Sequence, residues 1–158
     1  LLGSDRAREG ATQVYVTGSF WFQTVPMAAA MATLGVIQST DYLEHMVELG
    51  NQLRSGIDER DAAHGFGIRQ TGPVQMPILL FDEDPDLRLG AAFAGGMIER
   101  GIYFHPWHNM FLCAAMTRED MSQAINAADQ TFAHMAANRG AIEPHPGIAA
   151  FMAGFASA

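Results

Sequence analysis

The chain has 158 residues, 49% hydrophobic and 16% charged, and carries a net charge of −8. That length buries a real core, and the acidic balance without clustered cations argues against a nucleic-acid or membrane partner. A single cysteine, Cys113, excludes an internal disulfide framework and fits a reducing, cytoplasmic compartment.

Asp5 to Gly10 is charged and reads as a short surface helix or loop. Thr12 to Thr17 alternates and is rich in β-branched and aromatic residues, which predicts a strand. Gly18-Ser19 turns the chain. Pro26 suits the first turn of a helix. The following Met27 to Ile37 is apolar on every side, and such a helix is expected to be buried. Ser39, Thr40 or Asp41 caps the next helix, which runs to about His64 with Leu43, Met46, Val47, Leu53 and Ile57 at helical spacing. Gly65 ends it in a left-handed conformation.

Phe66 to Thr71 and Gln75 to Phe81 read as strands around a Gly72-Pro73 turn. Asp82 to Asp86 reads as a solvated acidic loop leading into a helix from about Pro85 to Arg100, stopped by Gly101. Ile102 to Phe104 and Met110 to Ala114 are expected as short strands flanking a His105-Pro106-Trp107-His108-Asn109 loop. Thr117-Arg118-Glu119-Asp120 carries a helix-start pattern, and its helix continues to about Asn138. The tail from Gly140 is a short packed helix or a frayed end. From residue 40 the order is helix, two strands, helix, two strands, helix. That predicts an α+β layer with helices on one side of a small, mostly antiparallel sheet.

The segment before about residue 38 cannot bury its faces alone. All nine basic residues are arginines, and there is no lysine. Thr17-Gly18-Ser19, the loop Phe20 to Val25 and Pro26-Met27-Ala28-Ala29-Ala30 form a strand end, a turn, a proline and an Ala/Met-rich helix. Downstream stand Leu53-Arg54-Ser55-Gly56-Ile57, Gly90 to Gly101, Ile102 to Pro106 and Phe111 to Met121. This ordered set resembles the class III pyridoxal-phosphate-dependent aminotransferases, in particular the branch like glutamate-1-semialdehyde aminomutase.

The resemblance implies the α/β fold of fold-type-I pyridoxal-phosphate enzymes. Residues 1–37 would be the last strand, turn and helix of the large cofactor-binding domain. Residues 38–158 would be the small C-terminal α+β domain. It implies pyridoxal 5′-phosphate as cofactor, an amino acid or amino-aldehyde substrate and a homodimer. The family's chemistry starts from a lysine Schiff base. The missing lysine therefore reads as a C-terminal fragment that is inactive alone. Gly18 and Ser19 would bind the cofactor phosphate of the partner subunit, with Thr24 as a further candidate. Glycine admits an anion close to the backbone, and a hydroxyl donates to it.

Phe20, Trp21, His105, Trp107, His108 and Asn109 are candidates for a substrate pocket. The plainer readings are a strand-ending turn at Gly18-Ser19, an aromatic seam at Phe20 to Phe22 and a satisfied loop at His105 to Asn109. His105-x-x-His108 has metal-like spacing, but Pro106 interrupts any helix and no third ligand lies near in sequence, so no metal is expected. Cys113 is expected to be a buried, inert thiol. The rival to the enzyme reading is a non-catalytic α+β small-molecule-binding or dimerisation module.

Overall fold

The computed structural model describes residues 5–13 and 23–156. They fall into two units, with Thr40 the last residue of the first and Asp41 the first of the second.

In the first unit, α1 spans Asp5–Thr12 and α2 spans Thr24–Ser39. Thr12 does not open a strand. It closes α1, its hydroxyl donating to the Glu9 carbonyl at 2.7 Å. Gln13 follows as a turn, its N–H donating to the Gly10 carbonyl at 3.1 Å, and residues 14–17 of the expected strand lie outside the described residues. Ser39 and Thr40 do not cap the helix that follows. Their hydroxyls donate back to the carbonyls of Gly35 and Val36, each at 2.7 Å. Back-bonding of this kind satisfies the carbonyls a helix leaves open at its end. No residue of α2 is buried. The sequence expectation of burial is corrected here. An all-apolar helix reports the surroundings it needs, not those its own chain supplies.

The second unit begins with α3, Tyr42–His64. Gly65 ends it at φ 69°, in the region glycine occupies without strain. The Asp61 carboxylate accepts the amide N–H groups of Phe66 and Ile68 at 3.1 and 2.7 Å. This fastens the chain as it enters β1, Ile68–Thr71, which pairs antiparallel with β2, Ile78–Phe81. Register runs from Ile68 opposite Phe81 to Thr71 opposite Ile78.

Among the described residues the sheet has two strands. Met110 and Leu112 donate their N–H groups to the carbonyls of Pro77 and Gln75, both at 2.9 Å, in antiparallel register. Pro77 has no N–H to return a bond, so a third strand does not form there. Ile102 to Phe104 is likewise outside the sheet.

The remaining helices are α4 (Arg88–Glu99), α5 (Arg118–Ala137) and α6 (Pro146–Ala156), with a 3₁₀ turn at Arg139–Ala141. The Thr117 hydroxyl accepts from the Asp120 N–H, and the Asp120 carboxylate accepts from the Thr117 N–H, so a capping box opens α5. The core joins α3, α4, α5 and the hairpin through Leu49, Ile57, Phe93, Met97, Phe132 and, from β2, Leu79 and Phe81. The rings of Phe93 and Phe132 stack at 4.8 Å, and Phe66 stacks on Phe132 at 5.8 Å. This is the α+β arrangement expected of the C-terminal part, with fewer strands.

Candidate functional site

A groove of about 720 Å³ opens in the second unit. Its walls come largely from the two segments expected to be strands, Ile102 to Phe104 and Met110 to Ala114, together with Gly101, His105, His108, Asn109, Ala115 and Met116 beside them. Its floor includes Leu53 of α3 and Met121 and Ala124 of α5. The same failure of strand formation at Pro77 therefore leaves this wall as irregular chain around an opening.

The lining is mostly apolar, with His105, His108, Asn109 and Asp120 as its conspicuous polar side chains. Nδ1 of His105 accepts the backbone N–H groups of Trp107 and His108 at 3.2 and 3.0 Å. An atom that accepts carries no proton, so the ring is the neutral tautomer protonated at Nε2. Burial pushes the His105 pKa below its ordinary 6.5, and the nearby His108 adds to the shift. The Trp107 ring stands edge-on to His105 at 4.7 Å. Nδ1 of His108 donates to the Asn109 carbonyl at 2.9 Å. The Asp120 carboxylate is occupied by the Thr117 hydroxyl and N–H, which hold its pKa below the usual carboxylate range.

Among the described residues no arginine lines the groove, and the sequence has no lysine. The groove therefore offers neutral hydrogen-bonding groups and the Asp120 carboxylate at its edge, with apolar surface elsewhere. It has no fixed cation to pair with a carboxylate.

The structure brings His105, His108 and Asn109 together at the groove, with Trp107 packed against His105. Thr24 opens α2 in the other unit, exposed and with no acidic residue in its first turn. Gly18, Ser19, Phe20 and Trp21 lie outside the described residues.

Two sequence readings are corrected. Cys113 is exposed on the groove wall, because the strand meant to bury it does not form. Asp84 is not solvated but 9% exposed. Its carboxylate accepts the N–H groups of Leu89 and Gly90 at 3.0 and 2.9 Å, at the start of α4. Sequence reading also missed Tyr103 and the Met110 to Met116 stretch as groove walls. Their alternation looks like a strand, and nothing local marks a strand whose partner lacks its donor.

No family model matches the chain. It is 46% identical over 146 residues to an aminopentol aminotransferase of Sphingopyxis macrogoltabida, covering 92% of this chain and 35% of that protein. It is 29% identical over 131 residues to a glutamate-1-semialdehyde 2,1-aminomutase of Bacillus velezensis, covering 75% of this chain and 30% of that protein. Among solved structures it superposes on the FumI protein of Sphingopyxis sp. MTA144, in its PLP internal aldimine form, with a TM-score of 0.85 and 45% identity. That match covers 93% of this chain and 36% of the other. The chain thus spans about a third of the length of the curated relatives it matches.

Proposed function

We infer the role of this chain from its homology to the class III pyridoxal-phosphate-dependent aminotransferases, reading it as the C-terminal part of such an enzyme. The single observation that carries this reading is 46% identity sustained over 92% of the chain. The whole protein transfers an amino group between molecules, or within one as an aminomutase does. Residues 1–37 complete the large domain, and residues 38–158 form the small domain at the substrate entrance.

The cofactor's covalent anchor is a lysine, and none of these 158 residues is one. The anchor is supplied from outside this sequence, and the chain alone does not turn over. The residues present do suit the cofactor's phosphate. Thr24 places a hydroxyl at the open end of α2, Gln23 makes no side-chain cap there, and no acidic side chain repels an anion in that turn. Gly18 and Ser19 supply amides and a second hydroxyl to the phosphate held by the partner subunit of a homodimer. When bound, the cofactor withdraws electrons from the carbon that carries the amino group.

The residues of the groove then orient the substrate. His105 offers its Nε2–H as a neutral donor, and Asn109 offers an amide beside it. The apolar walls receive the body of the substrate and exclude water. With no fixed cation in the lining, the groove suits an amine whose tail bears hydroxyls or hydrocarbon and not a carboxylate. The name of the aminopentol aminotransferase relative fits that chemistry.

The test compares the chain with a lysine-bearing parent, using a polyhydroxylated aliphatic amine as donor and a 2-oxo acid as acceptor. The parent is expected to transfer the amino group and the isolated chain is not. Turnover by the isolated chain with added cofactor rejects the reading, as does a parent that neither transfers the amino group to the acceptor nor moves it within an amino-aldehyde. In the parent, Ser19→Ala is expected to weaken cofactor binding by about tenfold, the loss of one hydrogen bond to a charged group. Equilibrium titration of the cofactor checks it.

A further inference from the structure

The groove wall that holds His105 is not tied to its surroundings by a sheet. Two contacts from α4 flank it instead. The Phe104 ring packs edge-on to Phe93 of α4 at 5.7 Å. One residue beyond His105, the Pro106 carbonyl lies against Gly90, so closely that a Cβ at Gly90 would stand 2.9 Å from it. His105 thus sits between two points fixed by one helix. Where α4 starts decides where His105 stands.

The start of α4 is set by Asp84. One carboxylate oxygen accepts the Leu89 N–H, and the other accepts the Gly90 N–H. The Asp84 carbonyl accepts the Leu87 N–H at 3.1 Å. Leu87, which closes this turn, and Glu83, which precedes it, stand at φ 57° and 56°, a region that non-glycine residues avoid. Such a conformation persists only where surrounding bonds impose it. Asp84 is buried, so water does not replace it.

We propose that Asp84 is a positioning residue for the substrate groove: through the first turn of α4 and Gly90 it sets the place of Pro106, and with it His105 and Trp107. The proposal rests on the groove's assignment to substrate for its enzymatic consequence, but not for its structural one.

The structural arm uses Trp107 as its reporter. In the full chain, Trp21→Phe leaves Trp107 as the sole tryptophan. Adding Asp84→Asn keeps the side chain's shape but leaves one of the two N–H groups without an acceptor. Adding Gly90→Ala pushes on the same loop from the other end and leaves the carboxylate in place. Both are expected to raise acrylamide quenching of Trp107 and shift its emission, with far-UV circular dichroism unchanged. Asp82→Ala, which removes an exposed carboxylate from the same loop, is expected to do neither. If Asp84→Asn fails to fold, Gly90→Ala and Asp84→Glu carry the test. Quenching and emission equal to those of the Trp21→Phe chain in every folded variant overturn the role of Asp84.

The enzymatic arm uses the lysine-bearing parent. There Asp84→Asn is expected to raise KM about tenfold with kcat nearly unchanged, as a misplaced binding wall should. A changed Trp107 signal with an unchanged KM sinks the groove's assignment to substrate and leaves the positioning of the loop intact.

Discussion

His105 is kept neutral by geometry as well as by burial. Its Nδ1 accepts two backbone N–H groups, and a protonated ring would lose both. Its pKa in the folded chain therefore lies below the ordinary value of 6.5 that it regains on unfolding. Between those two values the unfolded chain binds more protons, so stability rises with pH. The contribution is present above 6.5 and is lost as the pH falls through the lower folded value. Urea midpoints are expected to drop on acidification through that window. His105→Asn keeps an acceptor for the loop but cannot titrate, so it should flatten this part of the profile. An identical pH profile in the variant rejects the assignment. Steric limits at single residues are equally specific. A Cβ on Gly50 would collide with the backbone carbonyl of Val74, whereas one on Gly56 would collide with side-chain atoms of Ile125. Backbone cannot yield as a side-chain tip can. Gly50→Ala is expected to cost about 3 kcal/mol and Gly56→Ala about 1 kcal/mol, as overpacking does. Chemical denaturation of the two variants gives the order.

Helix boundaries obey local chemistry, and they were legible. Thr117 and Asp120 satisfy each other's end of α5 through a reciprocal pair of bonds, a pattern visible four residues at a time. Thr117→Ala should cost about 1 kcal/mol, measured by thermal unfolding. The Gly65 stop of α3 was legible for the same reason, since the left-handed φ it needs is a property of one residue. The groove was not. Its histidines were read from their loop, but its walls at Ile102 to Phe104 and Met110 to Ala114 looked like strands. What prevents a third strand is Pro77, more than thirty positions away from Met110, and period-two alternation carries no record of the partner's missing N–H. Asp84 was misread on similar grounds. In sequence it is one acid among several, and only the fold aims its carboxylate at two amides and away from water.

At the scale of the whole molecule, α2 poses the question its composition raised. No charged or histidine side chain occurs between Glu9 and Asp41, in a chain whose net charge is −8. Val25 is 79% exposed, and Met31 is 70% exposed. Contiguous apolar surface of this kind marks an interface in a stable protein. The homodimer proposed for the parent would supply one, and the absence of charge would let two acidic copies approach there without repulsion. Met31→Glu places a carboxylate in that surface. It should weaken the parent dimer by about a hundredfold, corresponding to roughly 3 kcal/mol for a charge buried without a partner. Met31→Leu, which keeps the volume and stays apolar, should leave the dimer intact. Sedimentation equilibrium of the two variants separates the outcomes, and equal dissociation constants would remove α2 from the interface. Because residues 1–37 are proposed to complete the large domain, thermal unfolding of the whole parent is expected to be the same in both variants, which separates a lost dimer from a damaged fold.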